Sequence, residues 1–239
     1  MGDAGRGTGG ILSMTFGSLF AGIGGIDLGL ERAGMECKWQ VENDDYATRV
    51  LAKHWPRVYR HGDIKTFRGL PADLVCGGWP CQDISRAGRG DGLDGERSGL
   101  WFEMLRIIRD VRPRWVFLEN VSTLLIRGID SVLGSLAEGG FDCQWDCIPA
   151  SAIGSPHRRD RVWIIANSNG ERRDQERPRH TEAGCNGIER NGWWATEPDV
   201  GRVAYGIPAR VDRLRGLGNA VVPQVAEWIG RRIIEADKA

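Results

Sequence analysis

FGSLFAGIGGIDLGLERA, residues 16–33, decides the fold. Phe16–Phe20 is a short apolar run that reads as a β-strand, and Ile26–Ala33 carries the spacing of a helix. Between them lies a glycine-rich turn, Phe20-Ala21-Gly22-Ile23-Gly24-Gly25. Glycines there let the backbone approach a ligand closely, and the free N–H groups of the helix start can face it. A second strand, Lys38–Val41, follows and ends at Glu42, about 20 residues beyond the loop. A carboxylate at that distance is suited to ribose hydroxyls. By itself the pattern fits NAD, FAD or S-adenosylmethionine, and also a tight turn that binds nothing.

Outward from this unit the alternation continues. Asp73–Cys76, Trp115–Glu119, Phe141–Ile148 and Val162–Ala166 read as strands, and Asp45–His54, Leu100–Asp110 and Ile129–Glu138 as helices. LVC and WVFL are the most apolar runs and read as buried and parallel. Alternating strands and helices predict an α/β, doubly wound, Rossmann-like open sheet with helices on both faces. Pro223–Ala236 reads as a terminal helix with Val225, Trp228, Ile229 and Ile233 turned inward.

The 239 residues suit one ordinary domain, and 41% hydrophobic with 27% charged residues excludes a wholly disordered chain. Basic and acidic residues balance at 32 each, so any nucleic-acid-binding surface must be local. Of the 32 basic residues, 28 are arginines, the side chain suited to bidentate phosphate and base contacts; a GC-rich coding sequence explains the bias equally well. Six cysteines without a CxxC pair, and no apolar run near 18 residues, read as a cytosolic protein with free thiols and no metal site. Four segments are expected. Residues 1–13 are a disordered extension or lie upstream of the natural start. Residues 14–167 form the catalytic and cofactor-binding domain. Residues 168–210 are polar and aperiodic, with seven arginines against seven acids, and residues 211–239 return to the domain.

Chemistry concentrates at strand ends. Asp63 sits where a third strand should end, though a lone Asp there also suits a helix cap. Gly77-Gly-Trp-Pro80-Cys81-Gln82-Asp-Ile-Ser85 follows the buried strand Asp73–Cys76. Pro80 stiffens one side of Cys81 and a Gly/Arg-rich stretch opens on the other, where a nucleophilic thiol would be presented. Cys37, Cys143 and Cys147 read as buried and inert, and Cys76 as core. Glu119-Asn120-Val121 ends the neighbouring strand, so Glu119 can face Cys81, its pKa raised in an apolar pocket; a helix cap by Asn120 or Ser122 is the plainer alternative. Arg159 and Arg161, in HRRDR at 157–161, alternate onto one face of an extended segment, where they could hold a phosphate, orient Glu119 or simply be solvated.

Together these segments resemble the DNA cytosine-5 methyltransferase family in its small bacterial and phage form. FAGIGG, WPCQDIS, RSGLWF (97–102), ENV, HRRDR and LGNAVVP (217–223) match its motifs in order, over Gly17–Ala166 and Arg213–Ile234. The resemblance implies S-adenosylmethionine as cofactor. It would be held by Phe20, Ala21, Gly22, Ile23, Gly24, Gly25, Glu42, Asn43, Asp63, Ile64, Pro80, Leu100, Asn219 and Val221. It implies Cys81 as nucleophile, Glu119 as proton-handling carboxylate, Arg161 on the cytosine O2 side, and Arg159 on Glu119 or a phosphate. Gln82, Ser85, Arg86, Arg89 and Arg97 would contact double-stranded DNA. A monomer is expected, with a restriction endonuclease at the same target as the implied partner. The sequence departs from the family twice. His157 replaces the usual Gln, and only residues 168–210 are available for target recognition, with Arg172, Arg173, Arg177, Arg179 and the Trp193-Trp194 pair as base or phosphate readers. Gln82 after Pro-Cys distinguishes the DNA-directed branch from the RNA-directed one. A regulator that has lost catalysis would not need Cys81, Glu119, Arg159 and Arg161, and an NAD dehydrogenase gives no account of PCQ or ENV.

Overall fold

Alternation of apolar side chains along each strand builds the core. In β4 (Leu74–Gly77), Leu74 and Cys76 point to one face of the sheet and Val75 to the other. In β5 (Trp115–Val121), Trp115 and Phe117 oppose Val116 and Leu118 in the same way. Both faces are therefore buried, as expected of a parallel sheet covered by helices on each side. The computed structural model describes residues 13–80, 99–154, 159–168 and 220–238. Residues 1–12, 81–98, 155–158, 169–219 and 239 lie outside the described residues.

The remaining strands are β1 (Thr15–Leu19), β2 (Glu36–Val41), β3 (Tyr59–His61), β6 (Phe141–Pro149) and β7 (Asp160–Ser168). The helices are α1 (Gly25–Ala33), α2 (Asp45–His54), α3 (Gly99–Val111), α4 (Leu124–Arg127), α5 (Ile129–Glu138) and α6 (Pro223–Asp237). One sheet of seven strands runs in the order β3-β2-β1-β4-β5-β7-β6. Strands β1 to β5 pair in parallel, and β7 is antiparallel to both β5 and β6. Hydrophobic side chains of α1, α2 and α6 join one core cluster with Phe16, Leu74, Phe117 and Trp163. Those of α3, α4 and α5 join the other, with Trp39, Val75, Val116 and Ile164.

The expected α/β doubly wound architecture is present. The third strand expected to end near Asp63 is present as β3, short and partly exposed, so no apolar run marks its bounds. Two features were not expected. The single turn of α4 is below the length at which periodicity can be read. Strand β7 runs backwards, a property that hydrophobic period does not encode. The reversal decides the site, because it lays the first residues of β7 beside the last residues of β5.

Candidate active site

Above the carboxyl edges of β1, β2, β4 and β5 lies a cavity of about 340 Å3. That is within the roughly 300–1,000 Å3 usual for small-molecule sites. Its place between β1 and β4, where strand order changes direction, is where ligands bind in doubly wound sheets. Phe20, Ala21, Gly22, Ile23, Gly25, Glu42, Asn43, Pro80, Glu119, Arg161 and Val221 line it, eleven residues named from sequence.

The glycine loop has its shape for steric reasons. Gly24 caps α1 at φ 86°, and a Cβ there would sit 2.5 Å from the Trp55 ring. Phe20 adopts φ 53°, which is uncommon for a bulky residue and costs of order 1–3 kcal/mol. Such strain is typical of ligand-binding turns. Glu42 braces the loop: its Oε2 accepts the Gly22 N–H at 2.7 Å and its Oε1 the Asp44 N–H at 2.8 Å. A carboxylate has about four lone-pair sites, so capacity remains for ligand hydroxyls. The C-terminal segment closes the wall, since a Cβ on Gly25 would meet the Val221 carbonyl at 2.6 Å.

On the opposite wall Arg161 Nε meets Glu119 Oε1 at 2.8 Å. The register explains the pair. Val121 lies opposite Arg161 and Glu119 opposite Trp163, so Glu119 and Arg161 are diagonal neighbours on one face of an antiparallel pair. Burial raises the Glu119 pKa above the ordinary carboxylate range, against the opposing pull of Arg161 and Arg159. Gly78 makes room for this carboxylate, because a Cβ there would lie 2.7 Å from Glu119 Oε2.

The structure differs from the sequence expectation at several residues. Arg159 is not in an extended segment alternating with Arg161. It precedes β7 at φ 38° and donates to the Ala220 carbonyl at 2.6 Å, so the arginine holding Glu119 at 2.8 Å is Arg161. Asp63 is exposed and caps its own turn, accepting the Lys65 N–H at 2.9 Å. Ile64 is buried in the core, Leu100 packs against that core, and Gly24 lies beneath the loop; none of these four lines the cavity. Cys37 and Cys76 are buried, whereas Cys143 and Cys147 are only partly so, because β6 is an edge strand. Burial pushes all four thiols above their ordinary pKa, Cys143 to about 11, so none is a thiolate at neutral pH. Cys81, Gln82, Ser85, Arg86, Arg89, Arg97, His157 and Asn219 lie outside the described residues. Sequence reasoning missed Ser18, Asp44, Tyr46, Trp79 and Asn120 as lining residues. Trp79 and Asn120 stood inside quoted motifs, and Asp44 carried a signal of its own as the N-cap of α2, accepting the Ala47 N–H at 2.9 Å. Among the described residues no cluster of metal-ligating side chains occurs, and no helix is long and apolar enough to cross a membrane.

Sheet order, the single reversed strand and the cavity over the first glycine loop define a Rossmann-like methyltransferase fold. A protein described as a putative DNA modification methyltransferase encoded within an E. coli prophage is similar over 65% of this chain and 47% of its own, at TM-score 0.56 and 27% identity. A DNMT2 variant of Spodoptera frugiperda, at TM-score 0.55 and 21% identity, covers 68% of this chain and 54% of its own and shares the fold. Type II methyltransferase M2.BsuMI of Bacillus subtilis is 39% identical over 159 residues, 63% of this chain and 41% of that protein. M.NgoFVII of Neisseria gonorrhoeae is 32% identical over 184 residues, 72% of this chain and 49% of that protein. The chain thus spans less than half the length of these curated relatives. The C-5 cytosine-specific DNA methylase family matches residues 14–189, and the chain belongs to it.

Proposed function

We propose that the chain is a DNA cytosine-5 methyltransferase that uses S-adenosylmethionine and a covalent Cys81 adduct. The observation that carries this reading is that one cavity is walled on one side by the glycine loop with Glu42 and on the other by the Glu119–Arg161 pair. The residues fit the cofactor. Phe20–Gly25 and Val221 would enclose its methionine end, Glu42 and Asn43 its ribose, and Pro80 the wall nearest the chemistry. When bound, S-adenosylmethionine supplies an electrophilic methyl group.

Carbon 5 of cytosine is a weak nucleophile, and Cys81 makes it a stronger one. Its thiolate adds to carbon 6, the C5=C6 double bond opens, and electron density moves to carbon 5. Glu119, with its raised pKa, shares a proton with N3 and accepts from the exocyclic amine as charge develops there. Arg161 holds that carboxylate in place and can donate to O2. After methylation the carbon-5 proton leaves to a base, the C5=C6 bond re-forms and Cys81 departs as thiolate. The reacting carbon is stacked inside a duplex, so the base is flipped out. Gln82, Ser85, Arg86, Arg89 and Arg97 hold the DNA in this reading, and residues 168–210 read its sequence. A monomeric enzyme sharing its target with a restriction endonuclease completes the picture. Bisulfite sequencing of plasmid DNA from cells expressing the chain tests it. Protected cytosines in one sequence context are expected, and fully converted DNA would contradict the proposal.

A further inference from the structure

The parallel ladder between β4 and β5 ends at the pair Gly77 and Leu118. Beyond it, Gly78-Trp79-Pro80 leaves the sheet, while Glu119-Asn120-Val121 continues β5 against β7, with no further ladder bond to the exit of β4. A contact outside the ladder joins them. Asn120 is 2% exposed, and its Nδ2 donates to the Trp79 carbonyl at 3.3 Å. Its Oδ1 accepts the Val121 N–H at 2.8 Å. The orientation of the amide is forced, because an N–H lies on one side and a carbonyl on the other. Trp79 is itself wedged against Trp101, with ring centroids 4.9 Å apart.

We propose that Asn120 is a positioning residue: its buried amide locks the exit of β4, Gly78–Pro80, to the end of β5 that carries the Glu119 carboxylate. This rests on reading Cys81 as the nucleophile. Glu119 and Asn120 are adjacent and project to opposite sides of β5, so one strand end serves two tasks. Glu119 faces the cavity beside Arg161, and Asn120 reaches across to the strand that delivers Cys81. A hydrogen bond inside the protein fixes a donor and acceptor to within a few tenths of an ångström. A misplacement of about 1 Å between reacting groups costs on the order of a hundredfold in rate.

The test uses the full chain with Asn120→Asp and Asn120→Ala. Asp keeps the shape and the acceptor for Val121 but turns an oxygen on the Trp79 carbonyl; Ala removes both contacts. The probe is duplex DNA amplified with 5-fluorodeoxycytidine triphosphate in place of dCTP, incubated with S-adenosylmethionine. Fluorine cannot leave as a proton does, so the thiol adduct persists and its rate of formation is counted on denaturing gels. About hundredfold slower adduct formation is expected, with the cofactor Kd and unfolding midpoint near those of the wild type. Adduct formation within about threefold of wild type in a folded variant overturns the proposal. So does a loss matched by an equal loss of cofactor affinity, or a failure of both variants to fold, since each marks a purely structural residue. Cys81→Ala separates the two layers. An adduct in that variant, or none in the wild type, refutes the reading of the site and the positioning role with it.

Discussion

Replacing Asp27 by Asn should make the protein progressively more stable relative to the wild type as pH rises. Asp27 lies on α1, fully buried behind the cavity wall. Its carboxylate accepts from Gln40 Nε2 at 2.8 Å and Ser18 Oγ at 3.0 Å, with the Cys37 thiol at 3.9 Å. These contacts only partly offset desolvation, which raises its pKa from 3.8 to about 6. At about 1.36 kcal/mol per unit, the ionised form costs the folded state roughly 3 kcal/mol. A pKa raised on folding gives stability that is complete below the unfolded value and lost as pH climbs through the folded one. The wild type should therefore lose about 3 kcal/mol from this group between acid and neutral pH, about 1.4 kcal/mol of it between pH 5 and pH 8. Asn cannot ionise, and although the Asp27 charge helps to raise the Cys37 and Cys76 thiols, burial is the larger cause in each and holds both protonated between pH 5 and pH 8. Urea unfolding of wild type and Asp27→Asn at pH 5 and pH 8 measures the effect. Any fixed cost of the new amide cancels in the difference. A stability difference that stays constant between pH 5 and pH 8 would show that Asp27 does not ionise at a cost to the folded state.

Three further outcomes follow from the same geometry. Gly78→Ala puts a Cβ 2.7 Å from Glu119 Oε2, so methyl transfer should fall by about a hundredfold while calorimetry shows cofactor binding retained. Glu42→Gln leaves one acceptor for the two N–H groups of Gly22 and Asp44, and cofactor affinity should weaken by roughly tenfold, about 1.4 kcal/mol. Exchanging residues 168–210 for the matching segment of a relative with another target should change the methylated sequence in an active chimera, read by bisulfite sequencing; an unchanged target places recognition elsewhere.

Most of the sheet was legible because its strands are buried on both faces, and a strand so buried must be an unbroken apolar run such as LVC or WVFL. The glycine loop, Glu42 and Glu119 were legible because each ends such a run, and strand ends define the crevice. Direction was not legible. The period of Asp160–Ser168 is the same whether the strand runs up or down, yet only its reversal sets Arg161 against Glu119. Tyr59–His61 is too short and too polar for the bounds of the third strand to be read, and Asp63 beyond it serves as a cap, the alternative to a place at the cavity edge. Asn120 and Trp79 read as ordinary residues within their motifs. Their contact links strand exits 41 residues apart, and no local pattern records it.

In the proposed mechanism Cys81 performs the chemistry in a pocket that binds S-adenosylmethionine without it. Transfer of tritiated methyl to plasmid DNA, with calorimetry of cofactor binding, on wild type and Cys81→Ala tests this most directly. The wild type should label the DNA, while Cys81→Ala should bind the cofactor with near-wild-type affinity and transfer nothing. Substantial turnover by Cys81→Ala would contradict the account.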